Sequence, residues 1–130
     1  MKFARYMVLA IAIEGIAILI LVLLVALFGP SEPEADQVFT RRLGYWVGPI
    51  AGFVLCIGGG WLIARGRDAG HVASGLMLGA MVAAIDVGLL VGGGADFEPI
   101  FVVSNLGRLV AGSFGGWLAG RVRAEGDRGE

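Results

Sequence analysis

Three ionisable residues, Glu14, Asp86 and Arg108, lie deep inside otherwise apolar stretches of this 130-residue chain. A charge withdrawn from water without compensation is costly, so such groups either pair with one another or do chemical work. Glu14 has no basic residue at its own depth. Alone in hydrocarbon it would be held as the neutral acid, hydrogen-bonded to a carbonyl or across a symmetric interface, or it would exchange a proton or cation. Asp86 and Arg108 fall about ten and twelve residues from the middle of the 93–98 segment, within ~5 Å of each other in depth on antiparallel helices. That spacing predicts an ion pair. The alternatives are an anion or substrate anchor at Arg108, a proton site at Asp86, or solvation of the two charges by an outer water-filled crevice. Asn105, one helical turn before Arg108, is placed to hydrogen-bond to it or to a lipid.

Other chemistries find no support in the residue types. His71 is the only histidine and opens the third apolar stretch, which predicts a solvated residue at its end. Bis-histidine haem is excluded within one chain, and no metal site of useful ligand number is expected. Cys56 is the only cysteine, so no intramolecular disulfide forms. No phosphate loop, dinucleotide fingerprint or nucleophile–base arrangement occurs, and neither an enzyme nor a cofactor is expected. The net charge of −1 supplies no field for nucleic acid.

The elements that must position the three charges are four apolar stretches, at 3–28, 43–64, 72–92 and 99–120. Each reaches or approaches the ~20 residues that cross ~30 Å of hydrocarbon as a helix. Apolar residues form 57% of the chain and mean hydropathy is +0.82, and a chain this short cannot hide four such stretches in one water-soluble core. The first stretch follows Lys2 and Arg5, but it is longer than a signal-peptide core and no A-x-A site follows, so a retained helix is expected. Between the stretches lie a polar loop at 29–42, a turn at 65–70 and a loop at 92–99 in which Asp96 is a candidate N-cap. A cytoplasmic tail at 121–130 is expected to fray.

Basic residues set the expected orientation. Lys2, Arg5, Arg65, Arg67, Arg121, Arg123 and Arg128 fall on one side and only Arg41 and Arg42 on the other, which predicts both termini in the cytoplasm. Tyr45 and Trp46 mark the opposite interface, Trp61 and Trp117 the inner one.

Small residues recur at every fourth position. The second stretch carries Gly44, Gly48, Gly52, Cys56 and Gly60; the third carries Gly75 and Gly79; the fourth carries Gly112, Gly116 and Gly120. Such stripes let helix backbones approach closely. The first stretch has none and is expected to face lipid most. GGWLIAR at 59–65 and GGWLAGR at 115–121 form a weak repeat, which suggests two hairpins of the same orientation. Glu14 and Asp86 sit in similar tripeptides, but counting from the loops puts them roughly 9 Å apart in depth.

GGGWLIARGRDAGHVASGLMLG, followed by LGRLVAGSFGGWLAGR, resembles the pattern of small bacterial four-helix membrane proteins of the YrzE-like kind, over about residues 48–121. The resemblance implies a four-helix membrane fold and brings no activity, cofactor or site residue.

The expected fold is therefore an all-α integral membrane protein, a four-helix transmembrane bundle of two parallel-related hairpins, N-in and C-in. With glycine stripes on three helices, the expected function is an oligomeric or accessory membrane subunit, partnered by the lipid bilayer and by copies of itself or a larger membrane complex. The alternative is a proton- or cation-coupled small transporter or channel using the buried carboxylates. A cavity reaching those carboxylates would favour the second; a sealed cluster would favour the first.

Overall fold

The computed structural model describes residues 2–129, and they fold as four helices: α1 (Lys2–Phe28), α2 (Pro33–Ala64), α3 (His71–Gly92) and α4 (Pro99–Gly126). Three of them, α1, α2 and α3, are long and apolar enough to cross a membrane. The fourth is as long, but Ser104, Asn105, Arg108 and its glycines make it more polar.

Two boundaries differ from those expected. Ten residues assigned to the first loop are helical, because Pro33 is pre-set for the first turn and Glu34 and Asp36 complement the positive end of the helix dipole. The tail also stays helical through Gly126. Arg123 holds it there, donating to the Arg67 carbonyl at 2.6 Å and to Asp68 Oδ1 at 2.7 Å on the 65–70 turn. Asp96 is not a cap: Glu98 occupies the N-cap of α4 and makes no side-chain capping bond.

The chain runs up and down four times, so both described ends and the 65–70 turn lie at one end of the bundle. The 29–32 and 93–98 connections lie at the other. Helix α4 packs on α2 and α3, α1 packs on the same two, and α2 touches α3 between them; α1 and α4 have no backbone contact. A strict two-fold relating the hairpins would require an α1–α4 contact equivalent to α2–α3. The hairpins are therefore alike in direction but not in environment. The GGWL repeat does recur in geometry: the Arg65 guanidinium lies 5.0 Å from the Trp61 ring centre, and that of Arg121 5.2 Å from Trp117.

Glycine makes the α4 contacts possible. A Cβ built on Gly60 or on Gly75 would overlap the carbonyl oxygen of Gly112, so that one peptide group is gripped from α2 on one side and α3 on the other. On Gly79 it would overlap the Arg108 carbonyl, and on Gly116 that of His71. A Cβ built on Gly120 would lie 3.2 Å from His71 Nδ1, against the imidazole ring. His71 Nε2 lies 2.9 Å from the Arg67 carbonyl, which can only accept, so this nitrogen carries the hydrogen. Helix α1 instead buries a narrow strip, Tyr6, Ala10, Ile13, Glu14 and Ala17, and exposes Val8, Ile11, Leu19, Val22 and Leu23. Tyr6 Oη accepts from Arg67 Nη1 at 2.8 Å and ties the start of α1 to the 65–70 turn.

Candidate functional site

Arg108 is the centre of the site. Its residue is 3% exposed and its guanidinium rests in a notch at Gly52, where an added Cβ would lie 2.8 Å from Nε. The Arg108 backbone sits against Gly79. From there the side chain runs back toward the N-terminus of α4, as helical side chains do, and reaches the level of Asp86 on α3. Nη1 lies 2.9 Å from Asp86 Oδ2 and also 2.9 Å from Glu14 Oε1. One guanidinium nitrogen thus serves two carboxylates from two helices.

Glu14 was expected to lack a basic partner at its depth, and this is corrected by the structure. Ile13 and Leu78 both close on Gly59, which sets the Glu14 backbone level with Gly79. Asp86 lies seven residues further along α3, ~10 Å in depth. The backbones are thus separated much as counting from the loops implied, and the two carboxylates close the difference by converging on one guanidinium nitrogen.

Asn105 completes the cluster. Its Nδ2 donates to Asp86 Oδ2 at 2.9 Å and to the Phe101 carbonyl at 2.8 Å, and its Oδ1 faces Arg108 Nη1 at 3.5 Å. Two buried atoms remain without a hydrogen bond, Arg108 Nε and Glu14 Oε1. Although Oε1 is close to Nη1, no guanidinium N–H is aimed at it. With both carboxylates ionised the cluster carries one negative charge in excess, which a proton or a cation would balance.

A cavity of about 390 Å³ runs from the far end of the bundle to this cluster. Glu14, Asp86, Arg108 and Ser104 form its floor, and Arg41, Asp96 and Glu98 stand at its mouth. Gly44 and Gly48 line its wall. They were expected to pack against a helix, but a Cβ on Gly48 would meet nothing within 4 Å, and one on Gly44 would make only ordinary contact with Leu21. At this end α2 leaves its neighbours, and the open half of its glycine stripe becomes cavity surface. Pro49, in the same wall, has no N–H to donate to the Tyr45 carbonyl one turn earlier.

Sequence reasoning missed Gly59 and Gly115, where an added Cβ would strike Ile13 and the Ile57 carbonyl respectively. Both adjoin a stripe position and serve a second neighbour. Cys56 is buried and unpaired in the core, and among the described residues no group of His, Cys, Asp and Glu could hold a metal ion. The chain matches no known protein family, no curated protein and no solved structure.

Proposed function

We propose that the chain is a multi-pass protein of the bacterial inner membrane, with both termini cytoplasmic, that moves a proton or small cation by way of Glu14 and Asp86. The observation that carries this proposal is the cavity: it ends on two carboxylates sharing one guanidinium, the kind of site whose protonation or cation occupancy changes its charge. The orientation is supported by Arg5, Arg65, Arg67, Arg121 and Arg123 at the end bearing the termini. On this reading the cavity opens outward. In proteoliposomes containing a pH-sensitive dye, the protein is expected to carry proton or alkali-cation flux down an imposed gradient. Glu14→Gln is expected to reduce that flux to the level of empty liposomes. Flux equal in Glu14→Gln and the parent chain would reject the proposal.

Orientation has its own test. Single cysteines replacing Glu34 or Asp96 are expected to react with an impermeant maleimide from outside intact cells, and those replacing Gly70 or Glu125 only after lysis. Native Cys56, being buried, is expected to stay silent. Labelling of position 34 only after lysis would invert the topology and turn the cavity toward the cytoplasm.

A second reading, an oligomeric or accessory membrane subunit, is favoured by a different observation. Gly15, Gly58 and Gly88 have open space where a side chain would stand, so a further helix can approach there as closely as α4 approaches α3. The mass of the native complex in detergent decides it: a monomer rules out self-assembly, and co-purifying chains identify a larger complex.

A further inference from the structure

We propose that the cavity binds a small organic monocation, a protonated amine on an apolar body, with its ammonium group against Glu14. This deepens the proton- or cation-coupled reading and rests on it. Three observations converge. The volume, about 390 Å³, falls within the range of small-ligand sites. The walls are apolar and aromatic, with Ile18, Leu21, Leu90, Tyr45 and Phe101, whereas the polar groups gather at the floor and mouth. The lining as a whole holds four carboxylates, Glu14, Asp86, Asp96 and Glu98, against two guanidiniums, Arg41 and Arg108, so it favours a cation over an anion.

Glu14 is the group that points to a ligand. It is 5% exposed, it lines the cavity, and its Oε1 accepts no hydrogen bond. A buried carboxylate oxygen left so is unfavourable, and an ammonium N–H supplies the missing donor. A bare metal ion fits poorly. It needs several oxygen ligands around it, and Arg108 Nη1 already stands between the two carboxylates where that ion would lie. An amine needs only one carboxylate oxygen that still accepts no hydrogen bond and an apolar space for its body, with the Tyr45 and Phe101 rings available to the charge.

The test compares three probes of one shape, benzylammonium, benzyl alcohol and benzoate, binding to the full chain in phosphatidylcholine nanodiscs, with empty nanodiscs subtracted. Benzylammonium is expected to bind at least about tenfold more tightly than benzyl alcohol, and benzoate more weakly than either. Glu14→Gln removes the carboxylate charge at position 14 while leaving Arg108 paired with Asp86, and is expected to bring benzylammonium to within about threefold of the alcohol. Gly48→Leu places its side chain in the cavity rather than between helices, and is expected to abolish binding of both probes with the helical signal unchanged. Equal affinity for the ammonium and the alcohol, an ammonium preference that survives Glu14→Gln, or binding that survives Gly48→Leu, overturns this inference. Proton or alkali-cation flux lost in Glu14→Gln, in a protein that does not prefer benzylammonium, would sink the amine site alone and leave the broader proposal standing.

Discussion

Replacing both carboxylates, Glu14→Gln together with Asp86→Asn, is expected to destabilise the protein by about 3–5 kcal/mol, more than the two single substitutions combined. The reason lies in the sharing of Arg108. Each carboxylate approaches Nη1 at 2.9 Å, so removal of one leaves the guanidinium paired with the other. A single substitution then loses about one hydrogen bond, ~0.5–1.5 kcal/mol. Removing both strands a charge that is 3% exposed and that arginine cannot shed. Unfolding in mixed micelles of rising dodecyl sulfate content, followed by helical circular dichroism, measures all three variants. Losses that simply add would mean that the two carboxylates do not share the cation. The sequence alone suggests a different result, severe damage from Asp86→Asn by itself, because it shows no second partner for Arg108.

Gly75→Ala is the second large effect expected. The new methyl would overlap the Gly112 carbonyl oxygen, and backbone cannot rotate aside as a side chain can. Forcing α3 and α4 apart also loosens the grip of Gly60 on the same carbonyl from α2, so a cost of at least ~1–3 kcal/mol is expected. Gly48→Ala gives the control of opposite sign. Its methyl meets nothing within 4 Å, and alanine in a helix interior is favoured over glycine by roughly 0.5–1 kcal/mol. Both are read in the same unfolding assay. Equal tolerance at Gly75 and Gly48 would mean that the close approach at Gly112 does not constrain the bundle.

The contrast between those glycines shows where the sequence is legible. Apolar length locates all four helices, since ~20 residues without interruption have few other uses. It sets the start of α2 too late, because Pro33, Glu34 and Asp36 signal a helix through first-turn preference and dipole rather than through hydropathy. Four-residue spacing strings Gly44, Gly48, Gly52 and Gly60 along one stripe of α2, which winds by ~40° at each step. Spacing reports the stripe but not what covers it: Gly60 meets backbone, Gly52 seats a guanidinium and Gly48 borders a cavity. The proximity of Asp86 and Arg108 can be counted from the loop between their helices. The link from Arg108 to Glu14 cannot, because it joins two helices with no backbone contact and depends on the reach of one side chain.

That link also bears on how the chain is made. Glu14 leaves the ribosome about ninety residues before Arg108, which at ~5–20 residues per second is an interval of roughly 5–20 s. Throughout it the nascent first helix holds a carboxylate whose cation has not yet been synthesised. The last helix therefore delivers the missing charge as well as the final packing surface. A chain truncated before residue 99 is left with both acids and no arginine between them.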